Sequence, residues 1–394
     1  MIRLSLVAMA FMAASAGLFR WRVLTNAPLI IERAEALLEA QRAADSRAEL
    51  RWLLWFHPRH STARLLEGLA FRQSGDLKSA LRSFSGVGTE APEATVAQLQ
   101  TALILVQESR LQEAEALLRR VVQRTDDPEA LHELQWLLFN QFRLRELEAL
   151  LEDQYQRHPE RQELLRHLLL SELKNPVPQE GLGYLLAVDK QQPGQPMIQR
   201  ALGFCRWRMG AIDAARNHFE QALAAVDENL QPAEAAEIRT TVAEFLIEQG
   251  AVAAAAKICP VPVTQAAAPL EIDDRMWAIQ ARIEEAQGHF PVALDLVEKA
   301  VKKRPFELRY IQMKGALLRR LGRVKEADEA FHQAQEFEGS QMQLTELALG
   351  QDLEHPSPAL CRQFSGLLRL RGRDLQSRGW AQLAETLVSP RRAP

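Results

Sequence analysis

The sequence predicts an all-α chain, a solenoid of antiparallel helix pairs about nine to ten pairs long. Three observations carry that expectation. The text repeats at a fixed step: Gly288 to Gly322, Ala293 to Ala327, and Ala300 to Ala334 are one and the same interval, a step of about 34 residues. Both copies follow one logic, GHFPVALDLVEKA and then GRVKEADEAFHQA. A turn glycine precedes a small residue where a neighbouring helix comes close; a bulky residue follows one turn later (Val297, Phe331), then a second small one. The composition is helix-forming, dominated by Ala, Leu, Glu, Arg and Gln with only 3 Tyr in 394 residues, and poor in what strands favour. Two helices in about 34 residues leave apolar faces that only stacked copies cover.

Upstream of each turn glycine lies another amphipathic run, with Trp277 and Ala281 in one copy and Ile311 and Gly315 in the next. With Ala293, Ala300 and the closing Pro305 in the first copy, and Ala327, Phe331 and Ala334 in the second, the pattern resembles the tetratricopeptide repeat family. The second copy lacks the closing proline. The resemblance covers roughly residues 27–390 and is firm at 61–160, 196–222 and 274–338. It implies a right-handed superhelix that binds partner proteins along its concave face, and it does not imply an enzyme.

Taken in order, residues 1–19 read MIRLSLVAMAFMAASAGLF. Arg3 is followed by an uncharged run from Leu4 to Phe19, and Ala14-Ser15-Ala16 offers a small-residue cleavage site. The run is short for a spanning helix, which takes about 17–25 residues. Residues 1–19 are therefore expected to be a signal peptide or an N-terminal membrane anchor, with Trp21 at the interface in the second case. The protein is expected to be exported, periplasmic or in the cell envelope.

Residues 20–160 form the first repeat block. Thr25-Asn26-Ala27-Pro28 starts a helix. Gly68, Phe71, Gly75, Ala80, Phe84 and Pro92 fall in phase, and Ala114 stands one full repeat step after Ala80. SRLQEAEALL at 109–118 is echoed by FRLRELEALL at 142–151. Residues 161–195, with Asn175-Pro-Val-Pro178 and Gln191 to Pro196, break phase and are expected to be a degenerate repeat with a short second helix, or a junction. Residues 196–341 form the second block, resuming with Gly203, Gly210, Ala215, Phe219 and Ala222. The stretch from Cys259 to Pro269 is expected to be an exposed loop. Residues 342–390 supply capping helices, Ala359–Arg371 and Asp374–Val388, and 391–394 a disordered tail.

The net charge of −3 gives no basic field for nucleic acid. Cys205, Cys259 and Cys361 are far apart, with no metal or redox spacing. No phosphate loop, nucleophile elbow or helical metalloprotease pair is present; His132-Glu133 is followed by Trp136 where a second histidine would stand. His57 and His60 read as an inter-repeat turn. The expectation is a chain without cofactor, metal or catalytic residue.

What remains is surface recognition. In the family the groove is lined by the second, fifth, ninth and twelfth positions of each repeat. Counting from residue 196 this implies Met197, Arg200, Phe204 and Trp207, with Arg208 beside them. Counting from 274 it implies Arg275 and Arg282, and from 308, Arg309, Gln312 and Arg319. The first block offers Leu65, Leu69 and Arg72, then Leu99, Leu103 and Val106. The groove is thus expected to be apolar first and rich in arginine and aromatics later, suited to an acidic or extended peptide. On that reading Trp207→Ala weakens binding with little effect on folding. Ninth positions without asparagine set aside the members that clamp chaperone tails. The expected role is a non-enzymatic scaffold or adaptor in the envelope; an accessory subunit of an envelope biogenesis or secretion complex is the alternative. A repeat-built enzyme or an RNA-binding helical repeat fits less well.

Overall fold

The pairing of neighbouring helices is what the sequence dictates most directly, and it recurs throughout. The computed structural model describes residues 18, 20–173, 177–226, 230, 232–259 and 274–388. Among these no strand occurs. Ahead of the first pair, residues 20–25 are helical. Twenty helices follow: α1 (Ala27–Glu39) paired with α2 (Ala43–Phe56), α3 (Ser61–Gln73) with α4 (Leu77–Ser85), α5 (Ala94–Gln107) with α6 (Leu111–Arg124), and then α7 (Pro128–Asn140) and α8 (Leu144–Arg157). Next come α9 (Gln162–Leu173), packed on α8, and α10 (Pro178–Gln191), packed on α11, then the pairs α11 (Pro196–Arg208) with α12 (Ile212–Ala224) and α13 (Pro232–Glu248) with α14 (Val252–Ile258). The last are α15 (Asp274–Ala286) with α16 (Phe290–Lys303), α17 (Leu308–Arg320) with α18 (Val324–Ala348), and α19 (Pro358–Leu370) with α20 (Asp374–Val388).

Most hairpins turn on one left-handed residue two places after the first helix. Gly288 and Gly322, the glycines of the repeat step, sit there with φ of 83° and 75°. In three hairpins the same place is held by Gln41, Ser109 and Phe142, at φ of 60°, 58° and 57°. That conformation costs a residue with a side chain about 1 kcal/mol. The packing partner of the turn is equally regular. Gly68, Gly203 and Gly315 lie against the rings of Phe84, Phe219 and Phe331, each ring at the same offset along the chain from its glycine. A β-carbon at Gly203 would stand 2.6 Å from the Phe219 ring, so the first helix must be bare for the second to dock.

The chain divides into two compact units, residues 1–137 and 138–394. In unit 1, Val23, Ala34, Leu50, Leu53, Leu54, Ala63 and Leu66 form one core, and Leu65, Ala80, Phe84, Val87, Ala97 and Ile104 the next. The buried Ser46 hydroxyl donates to the Ala34 carbonyl at 2.9 Å, tying α2 to α1. The Asp76 carboxylate caps α4 by accepting from the Ser79 N–H at 3.0 Å. At α3 the cap is the imidazole of His60, whose Nδ1 accepts from the Ala63 N–H at 3.3 Å.

Unit 2 differs, because its first helices pack on its last. Arg145 of α8 donates to Asp274 of α15 at 2.5 Å and to the Tyr310 hydroxyl of α17 at 2.9 Å. Glu148 accepts from Arg304 and Arg373. Glu172 of α9, its side chain 3% exposed, pairs with Arg371 at 3.3 Å and with Arg373. It also accepts from Gln376 at 3.2 Å. The Phe306 ring lies under both Arg304 and Arg373, with the second guanidinium 3.6 Å from its centroid. Gly379 of α20 is bare where Tyr155 and Leu165 press on it. This seam joins positions as far apart in sequence as Glu148 and Arg373. Residues of the first block and of the 161–195 segment thus pack against the second block and the end helices.

Two boundaries also differ. The division falls within α7 and not at 161–195, where α9 and α10 are full helices of 12 and 14 residues. Leucines 164, 165, 168 and 169 bury α9, and Pro178 only starts α10. The helix α18 runs for 25 residues through 341, so the second block passes into the end pairs without a break. The leader (1–17 and 19), residues 174–176, the stretch 260–273 and the tail from 389 lie outside the described residues. Among the described residues no helix is long and apolar enough to cross a membrane.

Candidate functional site

Inside unit 2 the first helices of successive pairs, α11, α13, α15 and α17, carry their polar faces toward a common space. A cavity of about 560 Å³ opens there, within the range of about 300–1,000 Å³ that ligand sites occupy. An adjoining cavity of about 440 Å³ shares Glu244, Glu248 and Arg309 with it. The two together form a trough.

Its floor is a buried ladder of guanidiniums and carboxylates. Arg143, 3% exposed, holds Glu146 with two bonds of 2.7 Å. Arg200, 1% exposed, donates to Glu237 at 3.1 Å and to the Gln141 carbonyl. Arg275 donates to Glu237 at 2.7 Å and to Glu244 at 3.0 Å. Burial opposes the ionisation of Glu237, but Arg275, Arg200 and Arg143 more than offset it and hold the carboxyl below its usual range. Burial likewise pushes Arg200 down, against the pull of Glu237. Beside the ladder, burial pushes the Tyr310 phenol up; Arg145 opposes this and Asp274, which accepts its proton at 2.6 Å, reinforces it. Buried charges of this kind hold only as a set, since each lost partner strands another.

The rim is aromatic and basic. Phe142, Phe204 and Trp207 follow one another at ring-centroid distances of 5.3 and 5.9 Å. The Arg208 guanidinium lies 5.8 Å over the Trp207 ring, and exposed Arg309 reaches Glu307 at 3.5 Å. Six arginines (143, 145, 200, 208, 275, 309) and four glutamates (146, 237, 244, 248) line the larger cavity, and Asp274 and Glu307 behind them pair with Arg145 and Arg309.

The structure brings Arg200, Phe204, Trp207, Arg208, Arg275 and Arg309 around the larger cavity, and Arg282 and Gln312 around the smaller. It leaves Met197 and Arg319 out. Met197 is 7% exposed in a core with Phe219 and Ile238, and Arg319 lies on the surface 4.8 Å over Phe331. Arg200 and Arg275, expected as docking groups, are spent on intramolecular ion pairs. Trp207 is 8% exposed, edge-on to Phe219 and Phe245 at 6.3 and 5.7 Å, and its Nε1–H donates to Glu248 at 3.2 Å. Its truncation is therefore a core deletion, worth about 3–5 kcal/mol, where a small folding effect was expected. Thermal unfolding of Trp207→Ala measures this.

Sequence reasoning missed the acidic half of the ladder. Glu237, Thr241, Glu244 and Glu248 recur at steps of four, three and four, one face of α13. That stripe was legible. The contribution of Arg143, Arg145 and Glu146 was not, since nothing local announces a partner from a distant repeat. Elsewhere, the three cysteines are buried, and burial pushes Cys205 up to about 12 and Cys259 to about 11. Among the described residues no group of three or more His, Cys, Asp and Glu could hold a metal ion.

Residues 31–92 match the tetratricopeptide repeat family. No curated protein matches the chain. Among solved structures, MamA from Desulfovibrio magneticus RS-1 (41 to its end) is 22% identical over 46% of this chain and 96% of that one, with a TM-score of 0.33. The human IFIT1 dimer with PPP-AAAA is 14% identical over 83% and 90%, with a TM-score of 0.38. PilF of Pseudomonas aeruginosa is 15% identical over 59% and 88%, with a TM-score of 0.23. At these identities and scores the likenesses say nothing of ligand or partner.

Proposed function

For this chain, a tetratricopeptide-repeat protein, we propose a non-enzymatic role as a scaffold that holds an extended, acidic segment of a partner protein in the trough of unit 2. The observation that carries the reading is exposed Arg208 over the Trp207 ring, with exposed Arg309, at the rim of a 560 Å³ cavity whose floor is already neutralised. The floor pairs Arg143, Arg200 and Arg275 with Glu146, Glu237 and Glu244, so it supplies shape and rigidity. Arg208 and Arg309 at the rim, with the half-buried Phe204 beside them, supply the recognition. The uncharged run from Leu4 to Phe19 supports a place in the cell envelope, as an exported or membrane-anchored protein.

The test is fluorescence titration with extended peptides of matched length, acidic against basic, on the wild type and on Arg208→Glu/Arg309→Glu. Labelled acidic peptides are expected to gain fluorescence anisotropy on binding and to lose affinity by about tenfold or more with both rim charges reversed. Equal binding of basic peptides, or affinity unmoved by the reversal, removes the reading.

A further inference from the structure

The first helix pair carries a surface that the trough does not use. On α2, Leu50, Leu53 and Leu54 turn inward to the core, while Ala44, Ala48, Arg51, Trp52 and Trp55 fall within about 100° of arc on the opposite side. The carboxylates Asp45 and Glu49 lie outside that arc. Trp55 is 73% exposed and Trp52 is 42% exposed, with the Arg51 guanidinium 5.0 Å over the Trp52 ring. The helical segment ahead of α1 is fixed to the same pair, because Val23 is buried among Leu50, Leu53 and Leu54. It leaves Trp21 64% exposed and Leu24 37% exposed. Three of the chain's seven tryptophans thus stand in solvent between positions 21 and 55, whereas Trp207 and Trp380 are buried. Indoles displayed with arginines and no carboxylate suit neither plain water nor a basic partner.

We propose that the outer face of α2 lies against the surface of an anionic lipid bilayer and seats unit 1 there. Indole rings settle at the headgroup level, where an apolar body and a polar N–H are both accommodated. An apolar-basic helix face lies in the interface plane in the same way. Arg51 complements anionic headgroups. The chain ahead of the described residues names the occupant: it is uncharged from Leu4 to Phe19 and enters the segment that Val23 holds to α2. The inference rests on the membrane placement proposed above only for bringing lipid near; the contact of α2 is a separate matter.

The experiment uses the full chain carrying Trp55→Cys with an environment-sensitive thiol label, the native cysteines being buried. Vesicles of phosphatidylcholine with phosphatidylglycerol are compared with phosphatidylcholine alone, both with and without brominated lipid. The expected result is a blue shift of the label and quenching by brominated lipid in the anionic vesicles, reduced by Arg51→Glu and absent for a label at Ser85→Cys. A vesicle-bound chain whose label at 55 stays in water overturns the inference and leaves the membrane placement standing. A chain that binds no vesicle overturns the inference and, of the placement above, the anchored form. A blue shift without lipid that disappears on dilution assigns the face to a second copy and overturns the inference as well.

Discussion

Units 1 and 2 are made of the same hairpin and differ in what the hairpins do next. In unit 1 the pair Gly68–Phe84 and in unit 2 the pairs Gly203–Phe219 and Gly315–Phe331 show one docking rule. The helix contacts that build unit 1 run between neighbours such as α2 and α3 or α3 and α5. Unit 2 adds a seam between α8–α9 and the helices from α15 onward. Its chemistry is different in kind: unit 1 is held by apolar clusters and a few caps, and the seam by Glu148, Glu172 and Asp274 with four arginines. The repeat pattern thus specifies how a pair forms. Charged residues outside that pattern specify whether an array closes.

The largest test of the contrast is Glu172→Ala. It takes the carboxylate from Arg371 and leaves Arg373 to Glu148, and breaking a buried pair costs about 3–5 kcal/mol. Unit 2 is expected to lose that stability while unit 1 keeps its hydrogen-exchange protection; equal loss in both units would join what the contrast separates. Smaller, at about 1–3 kcal/mol each, are Gly68→Val and Gly379→Val, both overpacking. The first crowds Phe84 within one hairpin and is expected to loosen α3 and α4 alone. The second crowds Tyr155 and Leu165 and is expected to lower protection in α8 and α9, far away in sequence. Protection lost only in α20 would argue against the seam.

The smallest effects come from pH, and they order the two units. Burial, then His57 nearby, lowers the His60 pKa below 6.5, so the folded cap of α3 prefers the neutral ring. The unfolded chain takes up that proton more readily, so this contribution is full above pH 6.5 and fades as pH falls below it. For Glu148 burial opposes ionisation, yet Arg373 and Arg304 hold its pKa below 4.5. Its contribution is full above 4.5 and fades as pH falls further. Glu152, raised by burial and by Glu148, works in the opposite sense, its stability present at low pH and lost as pH rises. Exchange measured from pH 7 downward is expected to show α3 loosening before the seam does, and the reverse order would contradict both assignments.

The hairpins were legible because each is a local statement. A turn glycine, and a phenylalanine at a fixed offset from a bare helix position, are visible within one copy. The first-helix positions that face the trough were also countable, which is why Arg200, Phe204, Arg208 and Arg275 stand together around it. Depth was not countable. Nothing in the text near Arg200 or Trp207 separates a rim group from a floor group, because Glu237 and Phe245 that bury them belong to another pair. Arg145, Glu148 and Glu152 read as an ordinary solvated helix face until Asp274, Arg304 and Arg373 arrive from the far end.

That arrival takes time. Glu148 and Arg373 are 225 residues apart, and a ribosome adding roughly 5–20 residues per second separates their appearance by about 10–45 s. Until then Glu172 of α9 lacks both its arginines, and loop closure over such a span is reached late in folding. A nascent chain halted before α19 should therefore present Glu172 and Leu165 to any chaperone that passes, whereas unit 1, whose hairpins dock on neighbours just made, is finished by then.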